Sequence, residues 1–147
     1  DKPFRYFALE ADGQFIESRV ELLIYQALKE KQRELGEGNF SFMYEVRPSV
    51  NGEELPMKTD FTVILKTGIW YWEHLGRIGN KKYEWTWHEV KKSSYQKYAA
   101  YDNLITTHER NGINPEKIKE IINLLVNSAV GTEDHTNRYS NHHFSLR

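Results

Sequence analysis

Two apolar runs joined by a very short turn constrain this chain more than any other feature. Asp60-Phe-Thr-Val-Ile-Leu-Lys66 is rich in β-branched residues, and Ile69-Trp-Tyr-Trp-Glu-His-Leu75 follows directly after the turn Lys66-Thr-Gly68. Strands joined so closely are expected to pair as an antiparallel hairpin. The midpoint of Asp60 and Glu73 lies between Lys66 and Thr67, so the two acids are predicted to stand near-opposite one another. Carboxylates meeting across a hairpin repel unless a cation lies between them. Alternation places Ile69, Tyr71, Glu73 and Leu75 on one face of the second strand and Trp70, Trp72 and His74 on the other. Glu73 thus shares an apolar face, where a charge is costly without a cation or metal.

The remaining elements organise around this hairpin. Glu17 to Leu35 carries Val20, Leu23, Ile24, Ala27, Leu28 and Leu35 near helical spacing, with Gly36 as a stop. Phe40, Phe42, Tyr44 and Val46 alternate with period two and predict a half-buried strand over 40–47. Val50-Asn-Gly-Glu is a turn signal. Residues 82–98 suit a helix, Leu104-Ile-Thr-Thr107 a short strand, and Pro115 opens a last helix over 116–130. The order α-β-β-β-α-β-α predicts an α/β sandwich, a small mixed sheet with helices on its faces. The chain reads as one domain over 1–130, followed by a polar, weakly structured tail over 131–147.

Composition excludes several classes. At 147 residues the chain is of single-domain size. A net charge of −1 excludes a uniformly basic nucleic-acid coat but not a local basic face. There is no cysteine, hence no disulfide scaffold and no thiolate metal site; this fits a reducing cytosol, and a cytoplasmic setting is expected. No apolar run approaches the length of a membrane helix and there is no signal peptide, so no membrane association is expected. The chain begins at Asp1 without Met, as a segment of something larger would. There is no Gly-rich phosphate loop and no serine nucleophile elbow.

Three acids stand out by position: Glu21 before an apolar run of the first helix, Asp60 opening a strand, and Glu73 among aromatics. Each alone has an ordinary reading, as a turn residue or as the partner of a lysine; the set points to hard oxygen ligands for Mg²⁺ or Mn²⁺. Trp70, Trp72, Trp85 and Trp87 offer stacking surfaces for nucleobases, although packing is the expected role of Trp70 and Trp72. Arg19, Arg77, Lys81 and Lys82 are candidate phosphate contacts, the last three because they follow the Glu73 strand closely. His135, His142 and His143 lie on the polar tail without the regular spacing of a metal site. His74 is a candidate for proton transfer, although alternation points it away from Glu73.

Ser18-Arg-Val-Glu21, Thr59-Asp-Phe-Thr-Val63, Tyr71-Trp-Glu-His-Leu-Gly76, Lys91 followed by Tyr95, and Leu104-Ile-Thr-Thr107 together resemble the PD-(D/E)xK nuclease superfamily. More narrowly, they resemble the restriction-endonuclease-like domains attached to bacterial DNA helicases and related ATPases. The resemblance spans roughly residues 17–107, and Trp-Glu-His-Leu-Gly is its most specific part. It implies a restriction-endonuclease-like sandwich and metal-dependent hydrolysis of DNA, with RNA as the other candidate substrate and a helicase or ATPase as partner. It also implies that Asp60 and Glu73 hold Mg²⁺ or Mn²⁺ with the backbone carbonyl of His74, and that Glu21 reaches the same centre through a water.

Two positions depart from the family pattern. Thr59 stands where the family has Pro, and Leu75 where it has the lysine that orients the attacking water. In this superfamily that lysine can come from the following helix. Lys91, spaced i, i+4 with Trp87 and Tyr95, is the first candidate; Lys92, beside His88 and Gln96, is the second and a further candidate phosphate contact. The expected activity is that of an Mg²⁺-dependent deoxyribonuclease in a defence or repair system. The alternative is a catalytically silent nucleic-acid-binding or assembly module that keeps the fold.

Overall fold

The computed structural model describes the backbone of residues 6–7 and the whole of residues 13–131 and 138–147. Strands β1 (Tyr6–Phe7) and β2 (Phe15–Ile16) pair antiparallel ahead of helix α1 (Arg19–Leu35). Strand β3 (Phe40–Val46) follows, then the two-residue strands β4 (Ser49–Val50) and β5 (Glu53–Glu54). The turn between β4 and β5 is Asn51-Gly52, with φ of 53° and 83°, the left-handed pair that a tight hairpin demands. The hairpin expected from the sequence is β6 (Thr59–Leu65) and β7 (Gly68–His74).

A continuous helical stretch then runs through α2 (Lys81–Thr86), a π-helical segment (Trp87–Lys92) and α3 (Ser93–Lys97). The expected helix over 82–98 is thus present, with a π segment that periodicity did not announce. Strand β8 (Leu104–His108) and helix α4 (Pro115–Val126) complete the expected order, and β9 (His142–Ser145) extends it. Asn114 caps α4 by accepting the Glu116 N–H, with Pro115 at the first helical position.

The protein is α/β, with a mixed five-stranded sheet in the order β3-β6-β7-β8-β9. The β3, β6 and β7 strands form an antiparallel meander; β7, β8 and β9 run parallel. Alternation divides the core. On one face, Phe40, Tyr44, Phe61, Val63, Trp72, Ile105 and Phe144 pack against Ile24 and Leu28 of α1 and Ile118, Ile121 and Leu125 of α4. On the other, Tyr71, Leu75 and Leu104 pack against Trp87 and Tyr95. Trp72 is fully buried and Trp70 packs edge-on against His142, so both are sheet packing as expected.

The C-terminal segment differs from expectation. The stretch read as a weakly structured polar tail returns to the sheet as its edge strand, β9, with Phe144 and Leu146 buried. The short His-His-Phe-Ser-Leu run hides this role because its polar members are satisfied by neighbours: the His143 ring bonds Thr106 Oγ1 at 2.8 Å, which in turn bonds Ser140 Oγ at 2.6 Å. Of the three tail histidines, His142 engages the backbone carbonyls of Gly131 and Asp102, and His135 lies outside the described residues. Among the described residues, no helix is long and apolar enough to cross a membrane.

Candidate active site

The register of the β6–β7 hairpin runs from Leu65↔Gly68 to Phe61↔Trp72, and continuing it by one step sets Asp60 against Glu73. At that step side chains take over from the backbone ladder. Glu73 Oε1 accepts the Asp60 N–H at 3.2 Å, and Asp60 Oδ2 accepts the His74 N–H at 2.8 Å. A cavity of about 460 Å³ opens at this end of the sheet. Glu17, Glu21, Glu45, Asp60, Glu73 and Glu109 line it, with Lys91 and Arg77 as the balancing side chains of fixed positive charge.

Glu21 arrives from the first turn of α1. Ser18 is the N-cap; its Oγ accepts the Glu21 N–H at 3.1 Å and donates to Glu21 Oε2 at 2.7 Å. Tyr44 of β3 donates to Glu21 Oε1 at 2.9 Å while accepting the Glu17 N–H at 3.0 Å. The capping residue and the strand tyrosine thus aim the Glu21 carboxylate at the sheet end.

Glu73 is 1% exposed and fully engaged. Lys91 Nζ lies 3.2 Å from its Oε2 and 3.4 Å from its Oε1. Tyr95 donates to Oε2 at 3.1 Å and is itself held by Thr59 Oγ1 at 2.7 Å. Thr59, where the resemblance noted in the sequence has proline, is therefore part of the support of Glu73. Trp87 and Tyr95 are buried as the anchors of their helix, and Lys91 lies between them. The extra residue that a π turn accommodates falls in this segment, a common feature of functional sites. Leu75, where the resemblance noted in the sequence has lysine, is 2% exposed and packs with Tyr71 and Leu104 against Trp87 and Tyr95.

The structure adds an acid that the sequence did not single out. One carboxylate oxygen each from Glu21, Glu45 and Asp60 lie within 4.8 Å of one another. Glu45 sits where the β3–β6 register would oppose it to Asp60, and its backbone is in the left-handed region at φ 51°. That pairing closes across the connection between residues 46 and 59, which no local pattern announces. Only the polar phase of the β3 alternation marks Glu45 in the sequence.

Electrostatics follow the geometry. Burial, then the Glu73 charge, pushes the Asp60 carboxyl well above its ordinary range, against the pull of Lys91 and the His74 N–H. Burial and then Asp60 push Glu21 up; burial, then Glu21 and Glu17, push Glu45 up. Burial disfavours the Lys91 ammonium, but Glu73 and Asp60 outweigh it and hold the lysine above its usual range. Burial and Glu73 keep the Tyr95 hydroxyl protonated and donating.

A divalent cation suits this donor set. Ligand oxygens on opposite sides of such an ion stand about 4–5 Å apart, given bonds of 2.0–2.6 Å. The Glu21–Glu45–Asp60 oxygens meet that span, they are hard donors, and each acid is penalised by its neighbours' charge. Glu73, expected as a ligand, is instead tied to Lys91 and Tyr95. The His74 ring turns to Thr107 Oγ1 at 2.9 Å and Glu109 Oε1 at 3.1 Å, away from Glu73 as alternation predicts.

The expected phosphate contacts divide. Arg77 lines the cavity. Lys81 and Lys82 are exposed in the first turn of α2, and Arg19 is exposed at the start of α1; none of the three is among the lining residues. Lys92 donates to the Arg138 carbonyl at 2.8 Å, away from the cavity. Comparison of the chain with protein-family models, with curated proteins and with solved structures finds no match to any of them.

Proposed function

We propose that this protein is a metal-dependent nuclease domain with a restriction-endonuclease-like fold, hydrolysing phosphodiester bonds of DNA. One observation carries the reading: Glu21, Asp60, Glu73 and Lys91, from four different elements, converge on one acidic cavity, with Lys91 supplying the ammonium that the strand does not. Glu21, Glu45 and Asp60 would hold Mg²⁺ or Mn²⁺, and Glu73 would join them if it exchanged part of its contact with Lys91. A bound divalent ion supplies Lewis-acid stabilisation of a phosphate and a lowered pKa for water. The chain's own residues do the rest. Lys91 orients a water at the Glu73 edge and offsets negative charge in the transition state. Arg77 draws the substrate backbone to the cavity mouth. The setting beside a helicase or ATPase, in defence or repair, is what the family resemblance implies, and a cytoplasmic one is what the absence of cysteine fits.

One observation favours the silent-module alternative: both Glu73 oxygens are already taken by Lys91, Tyr95 and the Asp60 N–H. The deciding experiment incubates the purified protein with labelled DNA in Mg²⁺, Mn²⁺, Ca²⁺ or excess chelator. Cleavage in Mg²⁺ or Mn²⁺, little in Ca²⁺ and none in chelator is expected. Cleavage undiminished by chelator refutes the mechanism, and DNA binding without cleavage in any metal favours the silent module.

A further inference from the structure

Trp85 is 63% exposed, whereas Trp72 and Trp87 are buried and Trp70 is partly so. Its position in α2 gives that exposure a chemical context. Lys81 and Lys82 precede it by four and three residues, the spacing that shares a helix face, and both are exposed. At about 100° per residue, Lys82 stands about 60° round the helix from Trp85 and Thr86 about 40° beyond Lys82. Thr86 lines the acidic cavity, and so do Tyr83 and Trp87 on the inner side. A path therefore runs over the helix from the exposed indole, past an exposed ammonium, to the cavity rim.

We propose that this face, Trp85 with Lys82 and Lys81, holds single-stranded nucleic acid, an unpaired base stacking on the indole and its phosphate on Lys82. The inference rests on the nuclease reading and deepens it by naming the substrate form. A flat ring standing out from a helix meets an unpaired base more readily than one enclosed in a duplex stack, and such stacking is tolerant of sequence. The arc from Trp85 to the rim is about 10 Å on a helix 10–12 Å across, a span of two or three nucleotides at about 3.4 Å stacked. Glu89, one turn beyond Trp85 and exposed, repels a backbone running along the helix. The strand is thereby directed across the helix, toward Lys82 and the cavity.

The test uses the whole chain in excess chelator, so that binding is read without hydrolysis. An oligothymidylate and a duplex of equal length are titrated against the parent, Trp85→Ala and Trp85→Phe, by anisotropy of a label on the DNA and by tryptophan fluorescence. Trp85→Ala should weaken single-strand binding about 5- to 100-fold, the range for loss of one stacked base. Duplex binding should fall far less, and Trp85→Phe should recover much of the loss. Quenching of the parent's fluorescence by the oligothymidylate should vanish in Trp85→Phe. Single-strand affinity unchanged in Trp85→Ala, or quenching that persists in Trp85→Phe, overturns the proposal and leaves the face to a protein partner. Trp85-dependent single-strand binding by a parent that cleaves nothing in Mg²⁺ would support the surface while refuting the nuclease. Cleavage by the parent with no Trp85 dependence of binding would do the reverse.

Discussion

Asp60 and Glu73 each hold the other's strand: the Glu73 carboxylate accepts the Asp60 N–H at 3.2 Å, and the Asp60 carboxylate accepts the N–H of His74 at 2.8 Å. The hairpin therefore ends in two acids that serve as its last rungs while facing a common cavity. Their proximity is unfavourable by charge alone, which is why Lys91 lies against Glu73 and why Asp60 resists ionisation. This frustration is local, and it can be removed without unfolding the hairpin.

Asp60→Asn is the direct test. The amide oxygen can still accept the His74 N–H, and a penalised charge disappears. The metal-free variant should melt at or above the temperature of the parent. Its cleavage rate should fall at least about a hundredfold, the scale for loss of a preorganised electrostatic contact. Thermal melts with and without Mg²⁺ provide a second readout, since the metal should raise the melting temperature of the parent and do little for the variant. A variant that melts well below the parent would mean that Asp60 is structural first.

The same carboxyls set a pH dependence. Burial and mutual repulsion raise Glu21, Glu45 and Asp60 in the folded state. A carboxyl with a raised folded pKa binds more protons folded than unfolded, so stability falls as pH rises from the ordinary carboxylate range, about 4, through the raised values. The metal-free protein should thus gain stability on mild acidification from neutral pH, opposite to the behaviour of salt-bridged acids. Saturating Mg²⁺ should flatten that slope by replacing the protons. Denaturant midpoints measured across this pH range, with and without metal, check both statements.

Much of this arrangement was legible because it is local. The two-residue turn fixed the Asp60–Glu73 register, and period-two alternation separated Glu73 from Trp72 and His74. The Trp87–Lys91–Tyr95 spacing placed the lysine, since burying the two aromatics carries Lys91 toward Glu73. What was not legible depends on distant pairing. Glu45 meets Asp60 only through the β3–β6 register and a left-handed backbone that sequence does not advertise at a glutamate. Strand β9 is not legible because four residues with two histidines carry too short a pattern, and the burial of His143 is made tolerable by Thr106, itself bonded to Ser140. Glu21, by contrast, was readable as an acid near the site; the structure adds that it stands three residues after the N-cap Ser18 and bonds with it.

Glu45→Gln distinguishes the observed acid cluster from the ligand set that the resemblance implies. If Glu45 helps to hold the cation, removing its charge lowers affinity, because ligand charge count tunes the binding of hard cations. The Mg²⁺ concentration for half-maximal cleavage should rise about tenfold or more, a difference of about 1.4 kcal/mol, while cleavage at saturating metal stays near that of the parent. Metal titrations of both proteins, read by activity and by thermal shift, measure this. Coincident titration curves would remove Glu45 from the site and return the ligand role to Glu73.

On the proposed nuclease reading, Lys91 carries two separable functions. Structurally, it is the cation for a carboxylate that is 1% exposed, whereas its own side chain is 33% exposed and can turn to water. Lys91→Ala therefore strands Glu73, and breaking a buried pair from one side costs about 3 kcal/mol. For a chain of this size that lowers the melting temperature by about 6–12 °C. Glu73→Gln should cost less, because the freed ammonium reaches solvent, and the double variant Lys91→Ala, Glu73→Gln should recover much of the single loss. Chemically, Lys91→Ala should abolish cleavage even at a temperature where circular dichroism finds the variant folded, while DNA binding falls only slightly, one phosphate contact among several being lost. Lys92→Ala should cleave much as the parent does, because Lys92 is committed to the Arg138 carbonyl and is not among the residues lining the cavity. A folded Lys91→Ala protein that cleaves at the parent's rate would leave the ion pair as structure alone, and His74 or a second metal would then have to be considered for the chemical role.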